Sequence, residues 1–197
     1  MTVVDASVAL VAIEDVRDWM KMEPGDNDAA FVRLINTVSA DVVKRCGRII
    51  LQQARTDEAY DGDGTDTLLL RHRPVTAVTK LIAQVNGAQL AAGADRDFVW
   101  YPNGVVKLLN GNYFPKWPQG VTVSYVAGYA PGSIPHDLKT AILEGIAFRW
   151  NTRDKRREGI TSVTTADGVT TYTESEYPKN VLATFDRYRR LAVRGYA

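Results

Sequence analysis

The sequence predicts an α+β fold: a helical bundle formed by the N-terminal and C-terminal segments, with an antiparallel β subdomain inserted between them. Three observations carry this reading. Apolar residues recur at three- and four-residue steps before Gly47 and again after Pro135. Between those points the chain breaks into short β-branched runs separated by Asn-Gly and Pro-Gly turns. The change of period falls at an acidic glycine-rich junction, Tyr60-Asp61-Gly62-Asp63-Gly64-Thr65-Asp66-Thr67-Leu68-Leu69-Leu70.

The opening helix is read from Ile13, Val16, Trp19 and Met20, with Glu14 and Asp15 at its start and Lys21 at its end, as the helix dipole favours. Pro24-Gly25 breaks the chain. Asp26 offers an N-cap for a longer helix over about 27–47, whose apolar residues Ala30, Phe31, Leu34, Ile35, Val38, Val42 and Cys46 share one face. Gly47 is its natural stop.

From Ile49 the pattern becomes strand-like. Residues 52–60 and 67–70 read as two strands joined in a hairpin across the glycine-aspartate turn. Val75 to Ile82 alternates and is β-branched. Asn86-Gly87 and Pro102-Asn103-Gly104 are hairpin signals, and residues 97–101 and 105–109 flank the second. Val121 to Val126 completes the set, with Pro131-Gly132 after it. Short connections of this kind imply antiparallel pairing rather than βαβ units.

Pro135 sits in the first turn of the next helix, which carries Leu138, Ile142, Leu143, Ile146, Ala147 and Trp150. A polar Thr/Ser-rich stretch follows, with a hairpin signal at Asp167-Gly168 and little to bury; it reads as a protruding arm covered by a partner. Pro178 opens a last helix carrying Val181, Leu182, Phe185, Tyr188 and Leu191. The organisation expected is one domain over 1–197, with helices in 12–47, 135–155 and 178–193, a β insertion over 50–130 and the polar arm over 158–177.

Composition sets the class. The chain has 197 residues, 45% hydrophobic and 24% charged, enough for a core without staples. Its single cysteine excludes an internal disulfide, and Cys46 reads as a small core residue in a reducing compartment. No apolar run has the length of a membrane span, and the first residues lack a signal peptide's basic start, so the expectation is a soluble cytoplasmic product. The net charge of +1 hides an asymmetry: residues 1–70 carry seven basic and thirteen acidic side chains, a net −6, which leaves +7 for the rest. Chance solvation of helix faces, head-to-tail complementarity between copies and a basic face towards nucleic acid all fit that split.

The candidate chemistry is thin. Asp61, Asp63 and Asp66 have the composition of a calcium loop but not its spacing: the fifth position is Thr65 and the twelfth is His72. A turn whose aspartates bond their own backbone explains them. The two histidines, His72 and His136, have no companions at metal-ligand spacing, and no nucleophile motif is present. Asp57 and Glu58, adjacent on a strand, point to opposite faces. No enzyme activity, metal or cofactor is expected. The basic run Arg153-Asp154-Lys155-Arg156-Arg157 fits either helix-dipole complementation or phosphate contact. Tyr113, Phe114, Trp117 and Pro118 fit a lid over the sheet core or a subunit contact.

Four segments together resemble the head–tail connector (adaptor) proteins of long-tailed phages, prophages and gene-transfer agents. They are Ile13-Glu14-Asp15-Val16-Arg17-Asp18-Trp19-Met20; the helix ending Val43-Lys44-Arg45-Cys46-Gly47-Arg48; the Tyr60–Leu70 junction with Arg73-Pro74-Val75; and Val121 to Tyr129 followed by Ile134-Pro135 and the helix through Arg153. The resemblance implies a ring of about twelve copies stacked on the portal protein, with a stopper or tail-completion protein on its other side. Genome DNA would pass through the lumen without sequence specificity. It implies no catalysis, no cofactor and no membrane, and a place in the neck of a virion or phage-like particle assembled in the bacterial cytoplasm. The C-terminal region is the expected portal contact, with Arg153, Arg156, Arg157, Tyr172, Tyr177, Arg187, Arg189 and Arg190 as candidate partner residues. The alternative function is a DNA-binding module using the same basic region.

Overall fold

A computed structural model describes residues 8–83, 88–90, 97–154, 162–165, 168–171 and 176–189. The helices are α1 (Ile13–Met20), α2 (Asp28–Cys46), α3 (His136–Asp154) and α4 (Lys179–Arg187). The strands are β1 (Gln53–Tyr60), β2 (Thr67–Leu69), β3 (Val75–Ala83), β4 (Ala88–Leu90), β5 (Phe98–Trp100), β6 (Val105–Leu108), β7 (Val121–Ala127), β8 (Ser162–Thr165) and β9 (Gly168–Thr171). The fold is α+β, with helices on both sides of an antiparallel β insertion in chain order. The chain forms two compact units: Met1–Gly47 with Ile134–Leu191, and a β unit centred on Arg48–Ser133.

In the helical unit, α2 supplies the largest apolar face. Phe31, Ile35, Val38 and Val42 are fully buried, and Leu138, Ile142 and Ile146 of α3 and Val181 and Phe185 of α4 are buried with them. Burying a side chain of this size contributes about 1.5–3 kcal/mol. The aromatic rings of Phe31 and Trp150 meet at 4.9 Å, and those of Tyr177 and Phe185 at 5.8 Å. Gly47, at φ +63, ends α2 and donates its N–H to the Val43 carbonyl at 3.0 Å, the stop expected of it. The N-cap is Asn27 rather than Asp26. In α1 only Val16 is buried outright; Trp19, expected on the apolar face, is 45% exposed, because eight residues present barely two turns to the unit.

The last helix is shorter than the expected 178–193. After Arg187 the Tyr188 and Arg189 amides bond to the Phe185 and Asp186 carbonyls, three residues back, which tightens and closes the helix. From Arg190 the expected extension lies outside the described residues.

In the β unit, β7 is the centre of a four-stranded sheet of order β1-β7-β3-β4, and a second sheet has the order β2-β6-β5. All described pairings are antiparallel apart from an isolated Leu51–Tyr129 bridge. Val121, Val123, Tyr125 and Ala127 of β7 share one core with Leu68, Val106, Leu108 and Phe98 of the smaller sheet. The expected Pro102-Asn103-Gly104 hairpin joins β5 to β6: Gly104 at φ +89 donates to the Tyr101 carbonyl at 2.9 Å.

The Tyr60–Leu70 junction is not a hairpin. Tyr60 pairs with Val121 in one sheet and Leu68 with Val106 in the other, so residues 61–66 cross between sheets. The hydrogen bonds a hairpin would make across itself go to residues 108–119 instead. Gly62 donates to the Trp117 carbonyl, Phe114 to that of Thr65, and Leu108 to that of Asp66. Glycine is required at 62 because a Cβ there would stand 1.8 Å from the Pro115 carbonyl oxygen. Burial explains the preference: the crossing lets Tyr60 and Leu68 both enter the shared core.

Candidate functional surfaces

The junction aspartates do not converge. Asp61 accepts the Gln119 N–H at 2.7 Å, Asp63 accepts the Thr65 N–H and hydroxyl, and Asp66 takes the Thr67 hydroxyl and the Lys107 ammonium. Among the described residues no group of three or more His, Cys, Asp or Glu could hold a metal ion. Asp57 and Glu58 also diverge. A bulge between Arg55 and Glu58, with Asp57 at φ +52, turns Asp57 to Lys80 and Ser124.

Glu58 enters a polar cluster that sequence reasoning missed. It accepts hydroxyls from Tyr125 at 2.6 Å and Tyr60 at 2.8 Å and pairs with Arg71 at 3.1 Å, while the Arg71 guanidinium lies over the Tyr60 ring at 4.2 Å. Burial alone would raise the carboxyl's pKa; the hydrogen bonds from Tyr125, Tyr60 and Arg71 outweigh it and hold Glu58 below its ordinary range. Burial pushes the Tyr60 phenol up to about 12. Fully partnered groups of this kind fix one sheet register.

A second cluster lies in the helical unit, and Tyr177 is the one predicted contact residue inside it. Its hydroxyl donates to Asp41 at 2.6 Å, and its ring lies 4.7 Å from the Arg149 guanidinium. Arg149 pairs with Asp41 at 2.8 Å and also with Glu176. Burial, then the bond to Asp41, raises the Tyr177 phenol well above its ordinary value. Tyr177 is 3% exposed and anchors the start of α4. Ion pairs Asp15–Lys139, Asp41–Arg149 and Arg45–Asp186 join the two charge-rich halves of the chain within this unit. Asp15–Lys139 and Asp41–Arg149 thus neutralise part of the −6/+7 asymmetry inside one molecule, while Arg45–Asp186 runs the other way.

The remaining predicted contacts that the structure describes, Arg153, Arg187 and Arg189, do not form one patch. Arg153 is exposed near the end of α3. Arg187 and Arg189 are exposed at the end of α4, which runs antiparallel to α3: Asn180 bonds Glu144, and Tyr188 bonds Asp137 at 2.5 Å. That places them beside the start of α3, about sixteen residues and roughly 24 Å along its axis from Arg153. Arg156, Arg157, Tyr172 and Arg190 lie outside the described residues.

The aromatic segment divides by role. Phe114 is 2% exposed and sits in the β core, while Tyr113 is 67% and Trp117 46% exposed. Phe114 bears out the core-cover reading, while Tyr113 and Trp117 of the same loop are left exposed. Among the described residues no helix is long and apolar enough to cross a membrane.

No curated protein matches the sequence. Among solved structures, the fold is similar to a chain from the neck of an empty gene transfer agent (GTA) particle computed with C6 symmetry: TM-score 0.62, 20% identity, covering 100% of this chain and 96% of that one. It is also similar to one from the neck of a native GTA particle computed with C12 symmetry, with TM-score 0.55, 20% identity and coverage of 95% and 97%. A third, from the virion of the native particle, has TM-score 0.53 at 20% identity and covers 95% and 93%. The sequence model of one family, head completion protein, matches residues 9–191, spanning both helical segments and the whole β unit. The chain belongs to the head completion protein family.

Proposed function

We propose that the chain is a structural head–tail adaptor, a ring component under the portal of a phage-like particle. In this reading it joins the portal protein to a stopper or tail-completion protein and leaves a channel for DNA. It is assembled in the bacterial cytoplasm and performs no catalysis. The observation that carries the reading is the family match over residues 9–191, supported by end-to-end likeness to chains described as parts of a GTA neck with C6 or C12 symmetry.

The physical features are compatible with a ring. Closed rings need contacts between unlike faces of neighbouring copies. The exposed Tyr113 and Trp117 supply aromatic contact area on the β unit, and Arg153, Arg187 and Arg189 supply separate charged contacts on the helical unit. A net charge of +1 suits a channel through which DNA must move, because dense phosphate binding would retard it. Separation of Arg153 from Arg187 and Arg189, at opposite ends of α3, weakens the alternative of a dedicated DNA-binding patch.

The test is to mix purified chain with portal-bearing capsids and image the portal vertex by electron microscopy, with mass photometry of the chain alone. A ring of extra density at the vertex is expected. A chain that stays monomeric and never adds density to the portal overturns the proposal.

A further inference from the structure

The β8–β9 hairpin has features of a strand arm. Its register runs Ser162–Thr171, Val163–Thr170, Thr164–Val169 and Thr165–Gly168, so Gly168 begins β9 rather than sitting in the turn. No other described strand pairs with either one, which leaves the two outer edges without a described neighbour. A two-stranded ribbon is marginal in water without further pairing. The described chain that follows it is held: Arg149 on α3 pairs with Glu176, and Tyr177 is bonded to Asp41.

The edge sequences invite pairing. Ser162-Val163-Thr164-Thr165 and Gly168-Val169-Thr170-Thr171 contain no charge and no proline, and they are rich in β-branched residues. Proteins guard lone edges with charges, prolines or bulges. This chain does so elsewhere: β1, at the edge of the four-stranded sheet, carries a bulge and Arg55, Asp57 and Glu58. The hairpin has neither device.

We infer that the β8–β9 hairpin is an assembly arm, and that its partner is the same hairpin in the next copy around the ring. The inference rests on the ring reading above. Two arguments favour a second copy over a different protein. A hairpin has two edges, and a single unrelated strand covers only one of them. Rotation about a ring axis running along the strands also preserves strand direction, so β9 of one copy meets β8 of the next antiparallel. The alternation then continues without a break until the ring closes. A two-fold partner would instead set like edge against like edge and leave the other pair open. Each copy adds backbone hydrogen bonds with no sequence-specific pocket, the mode of strand addition.

The test uses two full-length variants, Thr164→Cys on β8 and Val169→Cys on β9, each with one added thiol; the native Cys46 is buried, and the unmodified chain is the control. Rings on portal-bearing capsids are oxidised to form disulfides, which join cysteines on adjacent strands but not the same cysteine on neighbouring copies, two strands or about 9.6 Å apart. Covalent dimers are expected when the two variants are mixed and absent from either variant alone. The double variant Thr164→Lys with Thr170→Lys is expected to lose the ring while keeping the unfolding midpoint of the unmodified chain. If rings form but the mixture yields no dimer, or one variant alone does, the hairpin inference fails and the adaptor proposal stands. Wild-type chain that forms no ring on the portal overturns both. Capture of the hairpin cysteine by the portal protein instead of a second copy also overturns the inference.

Discussion

Tyr177, the residue before Pro178 at the start of α4, donates its hydroxyl to Asp41 in the middle of α2 at 2.6 Å, across 136 residues of sequence. The bond closes the helical unit at the root of the β8–β9 arm. Tyr177→Phe removes one hydrogen bond to a charged group and is expected to lower stability by about 1.5–3 kcal/mol. Equilibrium urea unfolding measures this directly, and an unchanged midpoint would show that Asp41 is served by Arg149 alone.

Gly128, at φ +107, has no room for a side chain: a Cβ would lie 2.4 Å from the Leu51 carbonyl oxygen. Gly128→Ala therefore combines a strained backbone with a backbone clash. A loss of at least about 2 kcal/mol is expected, read as a shift in denaturant midpoint. Gly132→Ala, where nothing lies within 4 Å but φ is +80, isolates the backbone part of that cost.

Phe114 and Tyr113 are neighbours with opposite exposure. Phe114→Ala is expected to cost about 3–5 kcal/mol through the cavity it leaves. Tyr113→Ala, or Trp117→Ala, is expected to stay within about 0.5 kcal/mol of wild type in the Tyr113 case and to weaken attachment to portal-bearing capsids in both. Thermal unfolding together with a pelleting assay separates the two effects.

Acid should destabilise the fold through carboxylates whose pKa is held low. Hydrogen bonds hold Glu58 low against its burial; the Tyr188 hydroxyl does so for Asp137, and Arg45 does so for Asp186. A carboxyl with a lower pKa folded than unfolded contributes stability that is complete above its unfolded value, near 4.5 for Glu58, and is lost as pH falls through the folded value. Unfolding midpoints measured from pH 7 to pH 3 should fall, and Glu58→Gln should make the fall shallower while lowering the midpoint at pH 7.

Periodicity is a local property, and the sequence exposed what was local. The α2 face from Phe31 to Cys46, its Gly47 stop, the Pro102-Asn103-Gly104 hairpin and the α+β order could all be read directly. Strand partners were not legible at the junction, because the glycine-aspartate turn is compatible with a hairpin until its hydrogen bonds are seen to go to residues 108–119. Nor were the partners of Glu58 and Asp41 legible, since each looks like an ordinary surface charge until Tyr125 or Tyr177 arrives from more than 60 positions away. The one available hint was tyrosine in otherwise apolar strand and helix-start positions, where a buried hydroxyl needs a partner. Nor was the spacing of the described basic residues legible: the antiparallel run of α3 and α4 sets Arg187 and Arg189 beside the start of α3, away from Arg153 at its end.

The helical unit is interrupted once, between Gly47 and Ile134, by the entire β unit. Joining α3 to α2 from an unfolded chain would mean closing a loop of nearly 90 residues, an entropic penalty of about 4 kcal/mol. Prior collapse of the β unit shortens that loop to a tether between two ends of a finished body. The β unit thus acts on the helices through the order of folding. A lesion at Gly128 or Gly62 should slow the assembly of helices that contain neither residue.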